Sequence, residues 1–251
     1  MRNLLICLTF DGSCYHGWQV QPNGITVQQA MGDAVERITG NRGRITGCSR
    51  TDAGVHADMF FCCLYTESGL PCDRLQGALN AVLPYSIAVN SCLEVPLDFH
   101  PRYDCKYKQY RYVIWDSHVR NPFLKNYAYH SNRVLDAQML DSQAKDFIGT
   151  YDFSAFCAAH ASTVDNVRTI YSSDVRRDGN TVTFTVSGNG FLYNMVRIMT
   201  GTLLEIDCGK IEKNTIKDII ASKDRSKAGL TVPPCGLYLN KVVYERGVNN
   251  G

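Results

Sequence analysis

The sequence is short of several things, and each shortage narrows the reading. Charge of one sign is the first: 26 Lys and Arg against 24 Asp and Glu leave a formal net charge of +2. So small a sum decides nothing about partners on its own. Long apolar runs are missing too, so no window is suited to crossing a membrane. The apolar start Leu4-Leu5-Ile6-Cys7-Leu8 is cut by Thr9 and Asp11 before it reaches the length of a secretory leader. No Cys-x-x-Cys pair occurs, which excludes a zinc ribbon. Low-complexity tracts are absent.

What is present describes a folded chain. Its 251 residues, 45% of them hydrophobic, are enough for one large domain or two modest ones. Eleven cysteines are scattered along a chain too long to need staples, with only Cys62-Cys63 adjacent. They read as free thiols in a reducing compartment, and the expected location is the cytoplasm. Basic residues gather locally, at Arg42 and Arg44, over Arg102 to Arg111 with Lys106 and Lys108, at Arg176-Arg177, and over Lys223 to Lys227. Clustered charge of this kind, more than the sum, is what nucleic-acid binding requires.

The order of elements is legible from periodicity and punctuation. Leu4 to Phe10 reads as a strand. Thr26 with Gln29 forms a capping-box pattern, and Val27, Met31, Ala34, Val35 and Ile38 repeat at helical spacing until Gly40. Arg44 to Cys48 and Asp58 to Tyr65 read as strands, a helix follows Asp73 as cap, and Ser86 to Val95 is a further strand. This β-α-β-β-α-β order is ferredoxin-like. It begins again at Tyr107 to Trp115, continues through a helix capped by Asp136, a hairpin of Val167 to Arg176 and Thr181 to Ser187, a helix over Phe191 to Ile206, and a strand over Leu237 to Tyr244. The expectation is an α+β protein of two halves, 1–104 and 105–251, whose sheets join into one large, mostly antiparallel sheet with a central cleft and helices on one face. Two irregular segments, His118 to Arg133 and Tyr151 to Asn166, are long enough to read as binding elements.

The chemistry points to Ser49-Arg50-Thr51-Asp52-Ala53-Gly54-Val55-His56-Ala57, a connection between two strands. Asp-Ala-Gly alone is an ordinary turn. Arg50, Thr51, Asp52 and His56 within seven positions, directly after a strand, make it a candidate catalytic loop. Tyr110 lies on a strand whose alternate aromatic residues also suit core packing. Arg197 falls in the otherwise apolar run Leu192 to Met199, where it must snorkel or meet a carboxylate; Asp52 is the expected partner. Asp52, His56 and Asp58 also leave open a metal-dependent hydrolase.

Several motifs, taken in order, carry a resemblance. Tyr15-His16-Gly17-Trp18-Gln19, Ser49 to Ala57, Phe99-His100, Tyr110-Arg111-Tyr112, Asn121-Pro122-Phe123, Asp152-Phe153-Ser154-Ala155-Phe156, Gly190-Phe191-Leu192 with Met195-Val196-Arg197, and Gly236-Leu237 together resemble the tRNA pseudouridine synthase A family over essentially the whole chain. The resemblance implies conversion of uridines 38, 39 and 40 of the tRNA anticodon arm to pseudouridine by a homodimer, without metal or organic cofactor. By motif it implies that Asp52 is catalytic, that Tyr110 stacks on the uracil, that Arg197 pairs with Asp52, that Arg50 assists the flipped nucleotide, and that Leu237 belongs to the substrate site. Ser49, where the family often has glycine, and Thr231-Val232-Pro233-Pro234 depart from its pattern and bear on loop shape. Two alternatives stay open: an inactive RNA-binding protein of the same fold, and a synthase acting on other uridines.

Overall fold

In the computed structural model, which describes residues 1–158 and 165–244, the chain divides into two units. One is Met1–Lys106 together with the chain from Tyr238, and the other is Tyr107–Leu237. The expected division at 104/105 falls two residues before this boundary and differs in one further respect. It leaves the last strand with the C-terminal half, whereas that strand groups with the N-terminal unit.

The N-terminal unit runs β1 (Arg2–Phe10), α1 (Val27–Thr39), β2 (Arg44–Gly47), β3 (His56–Thr66), α2 (Cys72–Val82) and β4 (Ile87–Val95), the expected ferredoxin-like order. β1 lies between β4 and β3, antiparallel to both. Its residues Asn3 to Leu8 are all nearly inaccessible, so burial is continuous along this central strand and does not alternate. β3 receives β2 antiparallel along Cys62 to Tyr65. At its other end it receives β10 (Leu237–Tyr244) in parallel, with Tyr238 opposite His56 and Leu239 opposite Ala57. Thr26 caps α1, its hydroxyl accepting the Gln29 N–H at 3.2 Å, and Gly40 ends the helix in the left-handed region. α2 corrects the expected cap: Pro71 occupies that position with no side-chain bond, and Asp73 sits within the first turn, where its charge suits the helix dipole.

The second unit opens with β5 (Cys105–Asp116), then β6 (Tyr129–Ser131), α3 (Ala137–Ala144), β7 (Gly149–Asp152), β8 (Val167–Asp178), β9 (Thr181–Gly188), α4 (Met195–Asp207) and α5 (Ile216–Ser222). β9 pairs antiparallel with β5 and with β8, and β7 continues antiparallel on β8. Asp136 caps α3 as expected, accepting the Met139 N–H at 2.9 Å. α4 begins four residues later than its apolar pattern predicts. Asn194 takes a left-handed backbone conformation at φ 58° just ahead of it, which breaks helical continuity with Phe191 to Tyr193.

The two irregular segments carry structure that periodicity did not show. The first contains a 3-10 turn at Pro122–Leu124 and then β6, which pairs in parallel with β5. In the second, Phe153, Ala155 and Phe156 are fully buried, so this stretch is core and not an exposed binding loop; its part at 159–164 lies outside the described residues.

Candidate active site

Asp52 sits on the connection from β2 to β3, and a second loop grips that connection from beneath. The chain after β1 passes Tyr15-His16-Gly17-Trp18 beside it. The Trp18 N–H donates to the Thr51 carbonyl at 3.2 Å, and the Gly54 N–H donates to the Tyr15 carbonyl at 3.1 Å. The Val55 N–H closes a turn on the Asp52 carbonyl at 3.2 Å. Contact is close enough that side chains are excluded at two points. A Cβ on Gly17, whose φ is +81°, would stand 2.3 Å from the Thr51 oxygen, and one on Gly12 would stand 1.9 Å from the Val55 oxygen. Trp18 is buried with its ring 4.2 Å from that of Phe60, and the Tyr15 hydroxyl meets the Ser86 hydroxyl at 2.7 Å. The aromatic loop of the sequence motif is therefore the clamp of the acidic loop.

The clamp leaves Asp52 half-buried and Arg50 exposed, while Thr51 is buried with no hydrogen-bond partner for its hydroxyl among the described residues. His56, buried at the start of β3, turns its Nδ1 to the Gly12 N–H at 3.1 Å and stacks its ring on Tyr238 at 4.7 Å. Asp11 Oδ1 stands 3.2 Å from the same Nδ1 and accepts the Ser13 N–H at 2.9 Å. His56 thus ties the chain just after β1 to the start of β3, directly after the Asp52 turn. Among the described residues no group of three or more His, Cys, Asp or Glu side chains is placed to hold a metal ion.

In the second unit, Tyr110 stands on β5 opposite Val186 and is 6% exposed, with its ring edge-on to Phe191 at 5.0 Å. Two residues on, Tyr112 is fully buried and donates its hydroxyl to the Pro233 carbonyl at 2.7 Å; burial pushes its pKa up, so it stays a neutral pin. Arg197 lies in the first turn of α4, the helix end where a cation is least favoured. Its Nε donates to the Val232 carbonyl at 2.8 Å and its Nη1 to Asn194 Oδ1 at 2.7 Å, which fixes the guanidinium in one orientation. Leu237, the first residue of β10, is buried.

Within the first unit, then, the structure gathers Arg50, Thr51, Asp52 and His56 around one clamp. Within the second it joins Tyr110 to Phe191, and Arg197 to Asn194 and Val232. Sequence reasoning did not foresee Gly12, Phe191 or the use of His56. Only the glycines in Asp11-Gly12 and His16-Gly17 hinted at a backbone approaching another backbone.

These features describe an α+β protein that displays a carboxylate on a clamped loop. The family model for tRNA pseudouridine synthase matches residues 6–104 and 143–245. A tRNA pseudouridine synthase A of Thermoanaerobacter sp. (strain X514) is 42% identical over 97% of this chain and 100% of its own length. One from Acetivibrio thermocellus is 44% identical with the same coverage. Among solved structures, a chain of a Cbf5-Nop10-Gar1 complex aligns over 81% of this chain and 53% of its own at 12% identity and a TM-score of 0.34, too distant a likeness to bear on the fold. The chain belongs to the tRNA pseudouridine synthase family.

Proposed function

We propose that the protein isomerises uridine to pseudouridine at positions 38, 39 and 40 of the tRNA anticodon arm, with Asp52 as its catalytic residue. The observation that supports this most directly is the double grip on the Asp52 turn by Trp18 N–H and Tyr15 C=O, a rigidity that a reacting carboxylate needs and an ordinary surface turn does not. The reaction breaks the bond from N1 to C1′, rotates the uracil and bonds its C5 to C1′. It is redox-neutral, and no atom enters or leaves apart from the exchanged C5 proton.

Asp52 serves as nucleophile toward C1′ or the base, or assists glycal formation. The target must leave the stack to be reached. Tyr110, braced edge-on by Phe191, is the platform for the extruded uracil and the group placed to take the C5 proton. Leu237 supplies apolar surface to that site. Arg197, held by Asn194 and Val232, is the counter-charge that keeps Asp52 ionised. Exposed Arg50 fills the space that the flipped nucleotide vacates.

The enzyme acts as a homodimer in the cytoplasm. The eleven free cysteines fit a reducing compartment, and sedimentation velocity tests the dimer, for which a monomeric mass counts against the reading. The catalytic assignment is tested by tritium release from an anticodon-arm tRNA labelled at uridine C5. Release is expected from the wild type and is expected to vanish in Asp52→Asn while tRNA binding persists. Undiminished release from the variant removes Asp52 from the chemistry.

A further inference from the structure

Within the first unit, Arg44 at the start of β2 and Arg102 in the turn after β4 each lie over a tyrosine ring, with His100 beside the second pair. Arg44 and Tyr65 stand directly opposite each other on β2 and β3, with the guanidinium 4.1 Å above the ring. The Tyr65 hydroxyl donates to the Phe99 carbonyl at 3.2 Å, which anchors the turn that follows. In that turn Arg102 lies over Tyr103 at 5.9 Å, and Tyr103 is 76% exposed with its ring 4.3 Å from His100. His100 Nδ1 accepts the N–H groups of both Arg102 and Tyr103, and Asp104 Oδ2 accepts the His100 N–H at 2.8 Å. The His100 pKa is lowered, chiefly by burial, which with the smaller positive fields of Arg102 and Arg44 prevails over the opposing Asp104 carboxylate. Histidine thus stays neutral and keeps the turn's two N–H bonds.

Both arginines are exposed, and neither forms an ion pair among the described residues. A guanidinium resting on an aromatic face keeps its edge donors aimed outward with little freedom left to lose on binding. The chemistry that matches two exposed guanidinium groups held on aromatic faces, beside an exposed tyrosine, is an RNA backbone, whose phosphates take bidentate donors and whose bases stack. Arg44 and the Asp52 loop occupy opposite ends of β2, a separation of about 10 Å along a strand of that length. The patch is therefore distinct from the candidate active site.

We infer that Arg44, Tyr65, Arg102 and Tyr103 form a docking surface for the phosphate backbone of tRNA outside the target nucleotide. The inference rests on tRNA being the substrate, not on Asp52 being catalytic.

The test measures the Kd of the full-length protein for a tRNA transcript across a series of KCl concentrations, together with kcat at saturating tRNA. Replacing both cations, as Arg44→Gln with Arg102→Gln, is expected to weaken binding roughly tenfold near physiological salt. It is also expected to flatten the slope of log K against log salt by about 1.5, since each lost phosphate contact removes about 0.7 to 0.9. The double replacement by Lys is expected to keep the slope, which separates lost charge from lost folding, and kcat should stay at the wild-type value throughout. Arg74→Gln on α2 is the control for an exposed arginine elsewhere in the unit. A double Gln variant with the Kd and slope of that control overturns the proposal, as does a loss confined to kcat; retained tRNA affinity alongside lost binding of an acidic protein would assign the patch to a protein partner instead. Asp52→Asn run in parallel reports on catalysis alone.

Discussion

Asp52 owes its orientation to backbone bonds made by its neighbours, and His56 illustrates how few side chains can supply them. Its Nδ1 is the acceptor for the Gly12 N–H, in a spot where that N–H has no access to water. Leaving such a donor unpaired costs about 1–3 kcal/mol. His56→Phe keeps a ring to stack on Tyr238 but removes the acceptor, so we expect lower thermal stability and a roughly tenfold loss in kcat with KM for tRNA little changed. His56→Asn places Oδ1 close to where Nδ1 stood and is expected to recover most of both. Single-turnover kinetics and melting curves on the two variants check this; equal damage in both would show that the ring matters and the hydrogen bond does not.

Among the elements, β8 and α3 show how a strand edge is satisfied by side chains. Beyond its pairing with β7, the outer edge of β8 meets α3: the Val175 N–H donates to Asp141 Oδ1 at 2.8 Å, and Lys145 Nζ reaches the Ser173 carbonyl at 2.9 Å. Near the hairpin end, Asp116 of β5, with no side-chain exposure, takes two bonds from Arg177 of β8 at 2.8 and 2.5 Å and a third from the Leu135 N–H at 2.9 Å. Burial pushes the Asp116 carboxyl up, but the guanidinium and that N–H outweigh it and hold the pKa below its usual place. A carboxylate with a depressed folded pKa contributes stability that is complete above the unfolded value near 4 and fades as pH falls through the folded one. Arg177→Met strands the charge and is expected to cost about 3 kcal/mol at pH 7, toward the lower end for a buried pair because Arg177 is itself 31% exposed. With the guanidinium gone, burial raises the Asp116 pKa, so protonation relieves the variant and its deficit should shrink as pH is lowered toward 4. Denaturant titrations at both pH values measure it, and a deficit independent of pH would mean the charge is not the cause.

Across the whole molecule, the same burial that builds the cores also silences the thiols. All eleven cysteines are free. Desolvation raises Cys7 to about 11 and Cys63 and Cys92 to about 12, and pushes Cys62 well above the ordinary thiol value. Only Cys14 is exposed. At pH 8 a thiol reagent is therefore expected to label one site quickly in the native chain and eleven after denaturation; several fast equivalents in the native state would show that these cores open readily.

The sequence alone was enough to determine the alternation of strands and helices in the N-terminal unit and the longer elements of the second, though not β6, β7 or α5, because hydrophobic periodicity and capping residues such as Thr26, Gly40 and Asp136 act locally. It also located Asp52 between two strands, since Arg50, Asp52 and His56 are close along the chain. Other features rest on groups far apart in the chain. The tertiary structure decided that β10 returns to pair with β3 of the N-terminal unit, that Phe153 and Phe156 are core, and that Gly12 and Gly17 clear the way for the clamp on Asp52. Backbone hydrogen bonds such as Trp18 to Thr51 leave almost no mark on side-chain composition. Local pattern therefore reveals the elements, while the contacts that aim a catalytic group form only when distant backbones meet.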